Sequence, residues 1–185
     1  LFRSEPSTGA GLHVSRPEEI LEGLKGTALT GSEMARRLNY PRQSIFRHLN
    51  TLEKDGKIIR YEDTETTKGV EIFFEINNPN RNESGFHKVL VAKVQEELGN
   101  AKVLGGPNNP DLVINNIAVE VETGTKPSLD GFVEQVRKRF EQGYTKVIVV
   151  VINQRQKARY EKALEGSKNV SVLKFTELAK AIAKA

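Results

Sequence analysis

Three carboxylates, Asp111, Glu120 and Glu122, are spaced to meet on one side of a β-hairpin. Asp111-Leu-Val-Ile114 and Ile117-Ala-Val-Glu-Val-Glu122 are β-rich runs joined by Asn115-Asn116. Asn tolerates the positive φ that a two-residue turn needs, so the spacing predicts a tight hairpin. In that register Ile114 faces Ile117, Val113 faces Ala118, Leu112 faces Val119 and Asp111 faces Glu120. Leu112, Ile114, Ile117, Val119 and Val121 form an apolar face, and the carboxylates share the other with Val113 and Ala118. Like charges directly opposite each other destabilise a strand pair. The cluster becomes tolerable if a divalent cation neutralises it or one member stays protonated. Mg²⁺ or Mn²⁺ suits carboxylate and water oxygens, and such an ion polarises a phosphoryl oxygen and acidifies a bound water.

Several elements must position this hairpin. A helix is predicted over 86–98, with Phe86, Leu90, Val94 and Leu98 at four-residue spacing. Lys102 to Leu104 reads as a short strand, and Gly-Gly-Pro-Asn-Asn-Pro (105–110) breaks the chain. Beyond the hairpin come a helix (about 128–142), a strand (145–152), a helix (about 155–165), a strand (170–174) and a helix (176–184). Leu129, Phe132, Val133, Val136 and Phe140 form the core stripe of the first of these helices. Such a β-α-β order wants a mixed sheet with a right-handed crossover.

With Pro110-Asp111 and Glu120-Val121-Glu122 inside that order, residues 85–185 resemble the PD-(D/E)XK nuclease superfamily. The resemblance implies hydrolysis of DNA phosphodiesters with Mg²⁺ or Mn²⁺, and it makes Asp111 and Glu120 metal ligands. Glu122 stands where the family usually carries Lys, as it does in some restriction endonucleases of this fold. Its implied role is either metal ligand or general base for the attacking water. The displaced positive charge would come from Lys126 or Lys138, and Gln135 and Arg139 flank the core stripe of their helix within reach of the site. Glu97, or Glu96, matches the acidic residue that some members contribute to the metal. A purely structural alternative stays open. Asp111 would then be a strand-start residue, Glu120 and Glu122 the solvent face of an edge hairpin, the Lys and Arg residues solvated charges, and His48 and His87 bystanders.

The N-terminal half reads as three helices followed by a hairpin. Pro17 suits a first helical turn, with Ile20, Leu21 and Leu24 as its stripe. Thr30 and Glu33 are spaced as a capping box ahead of Met34, Ala35 and Leu38. After Asn39-Tyr40-Pro41, Ile45, Leu49 and Leu52 mark a third helix that Gly56 ends. Lys57 to Tyr61 and Val70 to Ile76 read as strands around a polar turn, Glu62 to Gly69. Residues 17–76 thereby resemble a winged helix-turn-helix. The resemblance implies that the helix after Pro41 enters a DNA major groove, with Arg42, Gln43, Ser44, Arg47 and Lys54 (and Thr51) at the interface. The wing departs from that pattern, because Glu62, Asp63 and Glu65, opposed only by Lys68, would repel phosphate. A protein-docking role is the alternative.

Composition bounds the rest. The chain has 185 residues, 37% hydrophobic and 28% charged, which is ordinary for a globular protein. There is no Cys, which excludes disulfides, thiolate zinc sites and thiol nucleophiles. The three histidines are far apart, so any metal is expected on carboxylate oxygens. The longest apolar run, Val147 to Ile152, is far short of the roughly 20 residues of a spanning helix. The formal charge of +4 is uneven: −1 over residues 1–80 and +5 over 81–185, a mild fit to a polyanion. Asn77 to Ser84 contains no apolar residue. The expected division is a flexible segment 1–11, a winged-helix domain 12–77, a linker 78–84 and a nuclease-like domain 85–185. The start at Leu1, without an initiator Met, reads as a fragment, a processed product or a trimmed chain.

Together these readings describe an intracellular, multi-domain α+β / α/β protein that binds DNA and cleaves it with Mg²⁺ or Mn²⁺. A homodimer fits double-strand cleavage, although no dimerisation signature is evident. The alternative is a catalytically degenerate nuclease fold serving, with the winged helix, as a DNA-binding or regulatory module.

Overall fold

Local capping chemistry sets the first elements. The structure is a computed structural model that describes residues 15–66, 69–78, 84–124 and 129–182. The segment 1–11, Lys68, most of the 78–84 linker and Lys126 lie outside the described residues. Helix α1 (Arg16–Gly23) starts where Glu18 accepts from the Ser15 backbone N–H at 2.9 Å. After strand β1 (Leu29–Thr30), helix α2 (Gly31–Leu38) opens on the predicted capping box. There Thr30 Oγ1 accepts from Glu33 N–H, and Glu33 accepts from Thr30 N–H at 2.8 Å. Asn39, at φ +54°, ends it. Helix α3 (Arg42–Lys54) follows Pro41 and buries Ile45, Leu49 and Leu52.

Strands β2 (Ile58–Thr66) and β3 (Gly69–Ile76) pair antiparallel, and β1 joins the other edge of β3, giving the order β1-β3-β2. This is the arrangement expected of a winged helix, with two corrections. Strand β1 had no counterpart in the sequence reading. The hairpin also outruns the polar turn expected from Glu62 to Gly69, because Glu62 pairs with Ile72 and Thr66 with Gly69. Ladder hydrogen bonds belong to the backbone, so polar side chains do not stop a projecting ribbon from pairing.

The second sheet has the order β4-β5-β6-β7-β8, comprising Lys102–Val103, Leu112–Ile114, Ile117–Glu122, Lys146–Val151 and Val170–Lys174. Strands β4 to β6 are antiparallel, and β6 to β8 are parallel. Asn115 and Asn116 both take positive φ, and the β5–β6 register matches the predicted one. Helices α4 (Gly85–Leu98) and α7 (Phe175–Ile182) cover one face, packing Phe86, Leu90, Val94 and Leu178 on Leu112, Val119, Val121, Ile148 and Val150. Helices α5 (Asp130–Glu141) and α6 (Gln154–Ala163) cover the other, packing Phe132, Val136 and Tyr160 on Ala118, Val147, Val149 and Val151. Central strand β7 is therefore apolar on both sides. The molecule is thus a mixed α+β fold with seven helices and two sheets among the described residues. None of the described helices is long and apolar enough to cross a membrane.

One apolar cluster crosses the polar seam at 77–84. Ala28 and Phe73 of the first unit share a core with Phe86, Leu90 and the second sheet. The Phe86 ring stacks on Tyr61 at 4.5 Å and lies 5.3 Å from Phe73. Buried Glu75 accepts from Tyr61 Oη–H at 2.8 Å and from the Phe86 backbone N–H at 3.0 Å. At Gly85 a Cβ would sit 2.6 Å from the Thr27 carbonyl carbon, so only glycine permits this approach.

Candidate functional site

Along β6 alternate residues turn to opposite faces, which sends Ala118, Glu120 and Glu122 beneath α5 and α6. Glu120 is 2% exposed and Glu122 6%, so the solvent-face alternative fails for both. Gln135 and Arg139 are one turn apart on α5 and meet Glu120 together. Gln135 Nε2 donates to Glu120 Oε2 at 2.9 Å, and Arg139 Nε donates to Oε1 at 2.6 Å. Arg139 also donates through Nη1 to the Asn108 carbonyl and through Nη2 to the Asn109 carbonyl, both at 2.8 Å. One guanidinium thus ties the acid on β6 to the loop that leads into Asp111.

Asp111 is fixed from two sides. Its Oδ2 accepts from the Val121 backbone N–H at 2.7 Å, and its Oδ1 lies 3.1 Å from His87 Nε2. Glu122 accepts from the Tyr160 hydroxyl at 2.8 Å. Burial, with Glu122 beside it, pushes the Tyr160 hydroxyl well above the ordinary phenol range, so it remains a protonated donor.

Glu120 carries the electrostatic tension of the cluster. Burial is the main force raising its carboxyl from an ordinary 4.5 to about 7, with Asp111 and Glu122 adding to it and Arg139 opposing. Burial thus outweighs the pull of Arg139 and favours the neutral carboxyl. Among the described residues, no group of three His, Cys, Asp or Glu side chains is arranged to grip a metal ion. As they stand, the carboxylate oxygens are turned to His87, Gln135, Arg139, Tyr160 and a backbone N–H.

Other expected site residues lie elsewhere. Glu97 is exposed, ten residues beyond His87 on α4, roughly 15 Å along the helix axis. Glu96 is exposed on the same distal turn. Lys138 is exposed on α5, so the cation beside the acids is Arg139 rather than a lysine. His87, read from the sequence as a bystander, meets Asp111, and Tyr160 escaped the sequence reading. Tyr160 could have been found, since Tyr160 and Leu164 are a buried i, i+4 pair in an otherwise polar helix.

On the first unit, Gln43, Arg47, Asn50 and Lys54 are exposed on α3 at spacings that keep them on one face. Asn50 is an addition to the expected set. Arg42 is exposed and lies over the Phe46 ring at 5.3 Å. Ser44 is half-buried and turned toward α1, where its Oγ accepts from Arg16 Nη1 at 3.2 Å. In the hairpin, Arg60 pairs with Glu62 at 2.7 Å, which offsets one of the acidic charges there.

No family model matches the chain, and no curated protein matches it. A crystal structure of Bacillus subtilis PadR in complex with operator DNA aligns with 69% of this chain and 91% of that one, at 11% identity and a TM-score of 0.31. An overlap that low assigns neither fold nor function.

Proposed function

We propose that this chain binds DNA through α3 and that its second unit hydrolyses phosphodiester bonds with Mg²⁺ or Mn²⁺, as its resemblance to the PD-(D/E)XK superfamily implies. The observation that carries the reading is that Glu120 and Glu122 share one face of β6 near its C-terminal end, where open α/β sheets place ligands, while Asp111 reaches the same strand through the Val121 backbone N–H. The donors are carboxylate oxygens, the type of ligand such a cation takes. Asp111 and Glu120 would hold it, with Glu122 alongside. A bound ion of this kind supplies a polarised phosphoryl oxygen and a more acidic water.

The chain's own groups prepare the site. Arg139 opposes the burial that would protonate Glu120, while Gln135 orients its other oxygen. Through Asn108 and Asn109, Arg139 also steadies the approach to Asp111. Glu122, held by Tyr160, is the acceptor for the proton of the attacking water. On α3, Gln43 and Arg47 face base edges and Lys54 faces phosphate.

A specific observation favours a second reading, a DNA-binding module that does not cleave. Arg139 and Glu120 are 3% and 2% exposed at the side chain and sit 2.6 Å apart, so the chain supplies a cation of its own. Incubating the folded protein with single- and double-stranded DNA, with and without Mn²⁺, decides between them. The hydrolase reading expects cleavage that needs the ion and disappears in Asp111→Ala while gel-shift binding persists. Binding without cleavage selects the module. Absence of both, at low salt, leaves a docking scaffold.

A further inference from the structure

Helix α6 turns Tyr160 to the sheet and shows a different chemistry to solvent. Arg155, Arg159 and Lys162 are exposed at i, i+4 and i+7, which puts them on one face of the helix over roughly 10 Å of its length. Ala158 is the other exposed residue of that stripe, which therefore carries neither an acid nor an aromatic ring. The remaining charges of α6 lie to the side, where Lys157 pairs with Glu177 at 2.8 Å and reaches Glu161 at 4.0 Å. Glu165 stands in the turn beyond the helix. Helix α5 shows the ordinary solvated arrangement, with exposed Arg137 between Glu134 at 2.8 Å and Glu141 at 3.7 Å. On α6 no position three or four residues from Arg155 or Arg159 holds an acid.

Two of these placements are unfavourable for the helix by itself. Like charges one turn apart repel, and Arg155 lies in the first turn, where the helix dipole disfavours a cation. An anion lying along the stripe relieves both. The first turn is also fixed in place. Gln156 Nε2 donates to the Thr123 carbonyl at 3.1 Å, and the Ile152 N–H donates to Gln156 Oε1 at 3.1 Å. The stripe thus begins at the C-terminal end of β6 and β7, where open α/β sheets place ligands. Duplex DNA carries one negative charge per roughly 1.7 Å of its axis, so a straight run of cations meets charge in any register.

We propose that the outward face of α6 is a second DNA contact, in which Arg155, Arg159 and Lys162 lie along the phosphate backbone of the duplex that α3 binds. The inference rests on reading α3 as a DNA contact and asks nothing of the carboxylates. A face with charge and no ring holds backbone rather than stacking on bases, so the contact is indifferent to sequence. It gives the excess of positive charge in the second unit, +5 over residues 81–185 against −1 over 1–80, a place and a partner.

The test is fluorescence anisotropy of the full chain on a duplex of several helical turns, from about 50 to about 200 mM salt. Each phosphate contact contributes roughly 0.9 to the slope of log affinity against log salt. The triple variant Arg155→Gln/Arg159→Gln/Lys162→Gln is expected to lower that slope by about 2.7 on any sequence, so the rise in salt costs it roughly 40-fold less affinity than it costs wild type. Lys25→Gln/Lys102→Gln/Lys180→Gln removes the same charge from exposed positions elsewhere and keeps the wild-type slope. Gln favours helix and relieves the repulsion, so the α6 variant melts no lower than wild type, which is the folding control. If the triple variant does not fold, Arg155→Gln and Arg159→Gln replace it singly, each lowering the slope by about 0.9. An unchanged slope, or an equal fall in the Lys25, Lys102 and Lys180 control, overturns the contact and leaves the stripe to solvent or to an acidic protein, while α3 still answers to Lys54→Ala. Failure of wild type to bind duplex at low salt removes the DNA reading itself, and this contact with it.

Discussion

Arg139 is the residue on which the carboxylate cluster depends most. Its guanidinium serves Glu120, two loop carbonyls and Gln142 Oε1 at once, with almost no water in reach. Removing one partner of a buried pair strands the other charge and costs about 3–5 kcal/mol. Arg139→Ala is therefore expected to lose that much in urea unfolding, and Arg139→Lys to restore only part, because an ammonium cannot reproduce the fork. Glu120 adds a pH signature. Its folded carboxyl is raised above the unfolded value, so the contribution it makes to stability is complete below about 4.5 and is lost as pH rises through about 7. Unfolding of the metal-free protein from pH 4 to 8 should show a decline on the order of 3 kcal/mol from this group, absent in Glu120→Gln. The register of β5 on β6, from Leu112↔Val119 to Ile114↔Ile117, was legible in the sequence because a tight turn and a two-residue period fix it. The partners of Asp111 and Glu122 were harder to read: His87 and Tyr160 come from elements 24 and 38 residues away in sequence, whose rotation over the sheet no local pattern states.

At the scale of elements, helices with chemical start signals were the easiest to read. Thr30 and Glu33 mark α2 to the residue, and Thr30→Ala should lower stability by about 1 kcal/mol in the same unfolding assay. The β2–β3 ribbon was misjudged because charge was taken as a turn signal, whereas pairing there is a backbone matter. Helix α3 carries the prediction for DNA. Lys54→Ala should weaken binding by similar amounts on all sequences and reduce the slope of log affinity against log salt by about 1. Arg47→Ala, if Arg47 reads a base, should cost about 1–3 kcal/mol and relax preference at one position. Fluorescence anisotropy across a salt series separates the two.

For the whole molecule, the seam was visible in composition but the contact across it was not. Tyr61 and Phe73 read only as strand residues of the first unit, and Ala28 carried no reading. Adjacent Phe73 and Phe74 held the clue, since neighbouring residues on a strand face opposite ways, and both are buried. A sheet with two covered faces must lean on something beyond its own three helices, and here that is α4. Phe86→Ala should accordingly cost about 3–5 kcal/mol, and calorimetry should show wild type melting in one transition that the substitution lowers or splits. The moored α4 also makes the protein a caliper. On the proposed reading, a duplex held by α3 would lie at an offset from the carboxylates set by the shared core rather than by a tether. Any cut made there would fall a constant number of base pairs from the gripped segment, whatever sequence lies between.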